Sequence, residues 1–139
     1  MKVLVDTSVW SLALRRPHRG SLSAQQQEAV NALADLVRDG RAVLMGAIRQ
    51  ELLSGIKAQS QFEMLRGSLA AFDDLVLPPA VYESAAQAFN VCRTHGVQGS
   101  NTDFLICAAA MHHQLPIFTL DGDFAQYQHW LPILFYPLP

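Results

Sequence analysis

The chain has 139 residues, of which 50% are hydrophobic and 16% are charged, and its formal net charge is −2. This length and composition predict a single globular domain over residues 1–139 with enough apolar residues to bury a core, and they exclude a disordered chain. The slightly acidic balance argues against a broad basic face for nucleic acid, so a nucleic-acid substrate would need local cationic side chains or metal ions.

No stretch has the features of a targeting or membrane-spanning segment. Residues 1–5 meet a charge at Asp6, too early for a signal-peptide core, and the longest apolar run, 104–111, is far below the ~20 residues of a membrane span. Cys92 and Cys107 lie in apolar helical patterns without close spacing, so both are expected to be reduced, buried thiols. We therefore expect a cytoplasmic protein that makes no contact with a membrane.

Short apolar runs alternate with helical patterns along the chain. The first run ends at Asp6, and helical spacing begins at Val9; Ser23 is a typical N-cap residue for the next helix, which Gly40 should end. Further amphipathic helices are predicted from Ile48 onward. The predicted strands are 3–5, 42–45, 75–77, 116–119 and 131–135, and the later helices cover about 48–56, 62–69, 81–95 and 104–113.

Strands that are separated by helical segments of ten or more residues imply right-handed crossover connections. The expected fold class is therefore α/β, with a parallel or mostly parallel five-stranded sheet covered by helices on both faces. In such a sheet the carboxyl ends of the strands share one edge, and ligands bind in the crevice outside that edge.

Four acidic residues have positions that deserve to be considered together: Asp6 after the first strand, Glu51 on a helix, Asp103 at the start of the most apolar helix, and Asp121 after the fourth strand. Each alone has a structural explanation as a helix cap, a turn residue or a solvated side chain. Asp6, Asp103 and Asp121 are nevertheless expected to converge at one sheet edge, where a hard divalent cation would offset their repulsion.

The donor set favours Mg²⁺, since all its ligand atoms are oxygens and the chain has no HxxxH or CxxC pair for zinc. The densest basic cluster includes Arg15, Arg16 and Arg19, in a loop that contains Pro17 and Gly20. This loop is either a solvated connector or a phosphate contact beside the crevice.

The sequence resembles the PIN-domain nucleases and, within them, the VapC-type toxins of bacterial toxin–antitoxin pairs. Four segments carry the resemblance, in the order and with the spacing of that family: 3–10 (VLVDTSVW), 50–55 (QELLSG), 102–109 (TDFLICAA) and 116–124 (PIFTLDGDF). One departure is Gly122, which leaves open whether Asp121 or Asp123 is the closer metal ligand.

The resemblance implies a single PIN-like domain whose acidic metal site is formed by Asp6, Glu51, Asp103 and Asp121. It also implies that Thr7 or Ser8 supports this site and that Asp123 lies close to it. The implied activity is that of a Mg²⁺- or Mn²⁺-dependent endoribonuclease acting on structured RNA, often tRNA. The implied partners are a VapB-like antitoxin and a second copy of the chain in a homodimer.

The expected mechanism is metal-assisted phosphodiester hydrolysis. Asp6, Asp103 and Asp121 would hold one or two ions, while Glu51 would orient or deprotonate the attacking water or complete a second metal's shell. The alternatives are an inactive PIN-like binding module and a different Mg²⁺-dependent phosphate-ester hydrolase. Leu52, Leu53, Phe62 and Leu65, on two neighbouring predicted helices, either form a surface for a partner or belong to the core.

Overall fold

The computed structural model describes residues 1–15 and 22–138. The described residues form three strands and seven helices, which confirms the α/β class. In chain order these are β1 (Val3–Val5), α1 (Thr7–Leu14), α2 (Ala24–Arg38), β2 (Ala42–Val43), α3 (Gly46–Leu53), α4 (Gln59–Leu69), α5 (Pro79–Thr94), α6 (Asn101–His113), β3 (Ile117–Phe118) and α7 (Asp123–Gln128).

The strand β1 is the centre of the sheet. It pairs in parallel with β2 on one side and β3 on the other, so the strand order is β2-β1-β3. All three residues of β1 are buried, as expected for an aliphatic strand between two parallel neighbours. The predicted parallel sheet is therefore confirmed.

The prediction of five strands was wrong. Segments 75–77 and 131–135 are not strands. Asp74, just before the first segment, forms one isolated parallel bridge with Leu44, and Phe135, at the end of the second, forms one with Ile117. In the first segment Val76 is 77% exposed and two prolines follow it, the second of which begins α5. In the second segment Pro132 has no N–H to donate to a sheet. That helices cover both faces of the sheet stays a prediction.

Local sequence signals account for most helix ends. Ser23 caps α2 in a capping box with Gln26, and Ser100 caps α6 by accepting from the backbone N–H of Asp103. The helices α2 and α5 are followed by Gly40 and Gly96, whose φ values of +68° and +77° suit glycine. The short helix α7 was not among the predicted elements.

The core surrounds β1 and includes residues from every helix. Leu52 and Leu65 are buried in it, so they support the fold and do not offer an exposed surface for a partner, whereas Leu53 and Phe62 are only partly buried. Cys92 and Cys107 are buried free thiols, as predicted, and burial raises the pKa of each. Among the described residues, the helices are too short or too polar to cross a membrane.

Candidate metal centre

Asp6 lies where β1 ends and α1 begins. It is the N-cap residue of α1, and at 4% exposure it is the one buried polar or charged side chain in the described part of the chain. Its Oδ2 accepts hydrogen bonds from the hydroxyls of Ser8 (2.7 Å) and Thr119 (2.8 Å) and a longer one from the Ser8 backbone N–H (3.3 Å). The described residues make no hydrogen bond to Oδ1, which leaves that oxygen available to a ligand.

The same two hydroxyls connect Asp6 to the end of β3. The Ser8 hydroxyl accepts from the backbone N–H of Leu120 at 3.0 Å, and the Thr119 hydroxyl accepts from that of Asp121 at 3.0 Å. This network holds the turn after β1 against the turn after β3. It therefore fixes Asp6 and Asp121 at the same edge of the sheet.

Three further carboxylates converge at this edge. Asp103 lies in the first turn of α6, Asp121 follows β3, and Asp123 is the first residue of α7. One carboxylate oxygen from each lies within 4.8 Å of those from the other two. Oxygen ligands of one Mg²⁺ are about 3.0 Å apart at adjacent positions and about 4.2 Å apart at opposite ones, so this all-oxygen set would move closer together to hold such an ion.

The environment of Asp103 opposes its charge. Burial and the negative charges of Asp6 and Asp121 raise the pKa of Asp103, while side-chain hydrogen bonds from Tyr127 and Ser100 lower it. The Tyr127 hydroxyl donates to Oδ2 of Asp103 at 2.7 Å. A bound cation would relieve the repulsion, which is the chemistry expected of a metal-binding carboxylate group.

Glu51 is held next to Asp6 from a different helix, α3. It lies on α3 and accepts a 2.6 Å hydrogen bond at Oε1 from the hydroxyl of Thr7, the residue that follows Asp6. Glu51 is exposed and does not belong to the group formed by Asp103, Asp121 and Asp123. The structure thus places Glu51 beside the turn that carries Asp6, in a cleft that Thr102, the residue before Asp103, also lines.

The basic cluster is only partly described. Arg16 and Arg19 lie outside the described residues, while Arg15 follows α1 and donates a long, 3.5 Å hydrogen bond to the backbone carbonyl of Glu51. Arg15 also lines a cleft of about 430 Å³ that reaches Ser8 and Leu120. One cationic side chain therefore lies beside the acidic edge.

Two side chains of the site, Thr119 and Tyr127, were not predicted from the sequence. Thr119 had a usable signal, because it is a hydroxyl residue at a strand end, one position beyond the register pair of Val5 and Phe118. No sequence signal pointed to Tyr127. It lies on α7, a helix that the sequence pattern did not indicate, and this helix determines its distance from Asp103.

The sequence matches a known protein family over most of its length. A family model described as the PIN domain matches residues 3–129, a range that includes all five acids discussed above. A comparison with curated proteins found no match.

Several solved structures are similar over nearly the whole chain. The crystal structure of FitAcB from Neisseria gonorrhoeae has a TM-score of 0.73 and 22% identity, covering 97% of this chain and 96% of that chain. VapBC2 from Rickettsia felis, bound to a DNA fragment from its promoter, has a TM-score of 0.70 and 14% identity over 98% of both chains. A toxin–antitoxin complex from Klebsiella pneumoniae has a TM-score of 0.63 and 20% identity, covering 89% of this chain and 91% of that chain.

At these identities the structural likeness establishes a shared fold. The family model covers far more than half of the sequence and includes both strand ends from which Asp6 and Asp121 project. The chain belongs to the PIN-domain family.

Proposed function

We propose that this protein is a cytoplasmic, divalent-metal-dependent endoribonuclease and the toxin of a VapBC-type toxin–antitoxin pair. The observation that carries the proposal is the convergence of Asp103, Asp121 and Asp123 at the sheet edge, where the Thr119 hydroxyl joins the buried carboxylate of Asp6 to the backbone of Asp121. Such a concentration of acids is costly without a cation and typical of sites that bind Mg²⁺ or Mn²⁺ through oxygen atoms. Membership of the PIN-domain family supports a nuclease.

The metal ligands in this proposal are Asp6, Asp103 and Asp121, with Asp123 as a candidate further ligand. Asp103, Asp121 and Asp123 form the converging group, and Asp6 lies outside that group but close enough for its charge to act on Asp103. Asp6 has one oxygen held by Ser8 and Thr119, which leaves the other for the ion. When bound, the ion would lower the pKa of a coordinated water and neutralise charge that develops on the phosphate.

Glu51 is the residue best suited to act on the attacking water. The Thr7 hydroxyl holds Oε1 of Glu51 at 2.6 Å, so Oε2 would orient the water and accept its proton. The expected reaction is hydrolysis of an RNA phosphodiester bond without a covalent intermediate. Arg15, beside the cleft next to Ser8, would contact a phosphate of the RNA, as would Arg16 and Arg19 from the same segment.

The RNA substrate, tRNA or another structured RNA, and the partners follow from the resemblance to VapC-type toxins. The similar structures are described as FitAcB, VapBC2 and a toxin–antitoxin complex, which supports an antitoxin as partner of this chain. We expect a VapB-like antitoxin to inhibit the enzyme and the free chain to form a homodimer. Light scattering at micromolar concentrations would test the dimer, and a monomer throughout would contradict it.

The decisive experiment is cleavage of a total tRNA pool by the antitoxin-free protein with Mg²⁺ or Mn²⁺, and with EDTA. We expect metal-dependent cleavage, and we expect Asp6→Asn to abolish it while the thermal unfolding midpoint stays the same or rises, because the substitution removes one charge from a repelling group. Asp39→Asn, on the exposed residue that follows α2, is the matched control. Cleavage by Asp6→Asn would contradict the proposal.

Two alternatives make different predictions. A binding module without activity would cleave no RNA with either metal. A phosphatase with a nucleophilic aspartate after its first strand needs a second aspartate two residues later, whereas this chain has Ser8 there, hydrogen-bonded to Asp6. Release of phosphate from small phosphate esters in the absence of RNA cleavage would support the phosphatase.

A further inference from the structure

Tyr127 is a buried residue whose hydroxyl reaches the acidic edge. Its side chain is 0% exposed, and its ring packs against Phe104 and Phe124, with centroid distances of 4.9 and 5.2 Å. The hydroxyl donates to Oδ2 of Asp103 at 2.7 Å. Because the ring is held by aromatic neighbours, the hydroxyl has a fixed position relative to this carboxylate.

Gly99 provides the space that this arrangement needs. A Cβ atom on residue 99 would lie 2.3 Å from Oη of Tyr127, 2.8 Å from Cζ and 3.0 Å from Cε2 of Phe104. The φ angle of Gly99 lies outside the left-handed region, so backbone conformation does not require glycine there. Glycine is required because the Tyr127 hydroxyl approaches the residue 99 backbone so closely.

The contact resembles those of the neighbouring acids. Asp6 accepts all its described hydrogen bonds at Oδ2, and Asp121 accepts one at Oδ1 from the backbone N–H of Asp123. Asp103 likewise accepts from Tyr127 at Oδ2. Each of these three carboxylates is therefore held by at least one hydrogen bond to an oxygen, which limits its rotation.

Tyr127 also connects two parts of the site. It lies four residues after Asp123 on α7, a spacing that places both on the same face of that helix. The hydrogen bond to Asp103 thus ties α7, which begins at Asp123, to the first turn of α6. Loss of the hydroxyl would free Asp103 to rotate and would loosen its position relative to Asp123.

We propose that Tyr127, in the space left by Gly99, is a positioning residue that orients the Asp103 carboxylate for divalent-cation binding. This inference rests on the proposed metal-dependent function, but it concerns a side chain that does not itself bind the ion. Partners that orient metal ligands typically change metal affinity or activity by about 10- to 100-fold when they are removed.

The test measures Mn²⁺ binding to the full chain by calorimetry, without RNA, for wild type and Tyr127→Phe. Phenylalanine keeps the packed ring and removes only the hydroxyl. We expect Mn²⁺ affinity to fall roughly tenfold or more. Tyr136→Phe is the matched control: its ring packs against Phe118 with centroids 5.3 Å apart, and its hydroxyl makes no hydrogen bond to the described residues, so Mn²⁺ affinity should not change.

A second variant tests the role of Gly99. Gly99→Ala should also weaken Mn²⁺ binding, because the new methyl group would displace the Tyr127 hydroxyl. In a Tyr127→Phe background the same substitution should cost less, since the closest of the three contacts has gone. An equal loss of affinity in both backgrounds would overturn the role assigned to Gly99.

The outcomes separate this inference from the proposed function. Wild-type Mn²⁺ affinity in Tyr127→Phe would overturn the positioning role even if the protein cleaves RNA. A wild-type chain that binds Mn²⁺ but cleaves no RNA would contradict the proposed ribonuclease, while a loss of affinity in Tyr127→Phe would still support the positioning role. No binding of Mn²⁺ by the wild type would overturn both.

Discussion

Thr119 and Asp6 are joined by a 2.8 Å hydrogen bond from Oγ1 of Thr119 to Oδ2 of Asp6, across 113 residues of sequence. The parallel register of β1 and β3 brings them together, since Val5 pairs with Phe118 directly before them. The same hydroxyl accepts from the backbone N–H of Asp121. One side chain therefore positions two of the proposed metal ligands.

Thr119→Val should reduce both stability and activity. Valine keeps the shape of threonine but leaves the Asp121 N–H without its partner, and loss of such a partner typically costs about 1–3 kcal/mol in the free energy of unfolding. RNA cleavage should fall by roughly tenfold or more because Asp6 and Asp121 lose a common anchor. Urea unfolding and a cleavage assay would measure the two effects.

The matched control is Thr94→Val, since Thr94 donates to a backbone carbonyl on the exposed side of α5, far along the chain from either acid. This control should keep full activity. Full cleavage by Thr119→Val would show that the hydroxyl only stabilises the fold.

The sequence was sufficient to predict the shared edge of Asp6 and Asp121. A buried apolar run is followed by a carboxylate in both places: Asp6 follows β1 and Asp121 comes shortly after β3. Parallel strands place their carboxyl ends side by side. It was also sufficient for most helices, because Ser23, Gly40 and Gly96 mark helix ends through local chemistry.

The outer strands and α7 could not be predicted in the same way. An apolar run such as 131–135 has the composition of a strand whether or not its backbone pairs with a neighbour over several residues. In this protein the run contributes a single bridge to the sheet. The contact of Tyr127 with Asp103 depends on the direction of α7 after the turn at Asp121. Tertiary packing decides this direction. Gly99 directly precedes the N-cap residue Ser100, and the sequence does not indicate that its neighbour in space is the Tyr127 hydroxyl.

The raised pKa of Asp103 predicts a specific pH dependence of stability. Its pKa in the fold lies above the ordinary value of 3.8, so the folded protein binds this proton more tightly than the unfolded chain does. The resulting stabilisation is fully present below pH 3.8 and is lost as pH rises through the folded pKa. In EDTA, Asp103→Asn should therefore gain stability relative to wild type as pH rises from 3.8 through the raised pKa of Asp103.

Urea unfolding of both proteins at several pH values would measure this difference, with Asp39→Asn as the variant at an exposed site. Asp39 lies on the surface, directly after α2. A stability difference for Asp103→Asn that falls with rising pH would contradict the prediction.

Addition of Mn²⁺ should stabilise the wild-type protein through mass action. At a free ion concentration ten times the Kd, binding to the folded state adds about 1.4 kcal/mol to the free energy of unfolding. Asp121→Asn should lose most of this gain, although its side-chain oxygen can still accept from the Asp123 N–H. Thermal unfolding in EDTA and in a Mn²⁺ series would measure it, and an equal shift in both proteins would place the ion elsewhere.

Glu51 should be separable from the metal ligands. Glu51→Gln keeps an oxygen that can accept from the Thr7 hydroxyl, so the local structure should persist, but the amide cannot take a proton from water. Because we assign Glu51 to the attacking water and not to the ion, Mn²⁺ affinity should stay within about twofold of wild type, whereas RNA cleavage should fall by roughly 10²- to 10⁴-fold. Single-turnover cleavage and calorimetry would measure the two quantities, with Glu28→Gln, at an exposed position of α2, as a control that should keep activity. A Glu51→Gln variant that loses metal affinity in parallel with cleavage would instead identify Glu51 as a metal ligand.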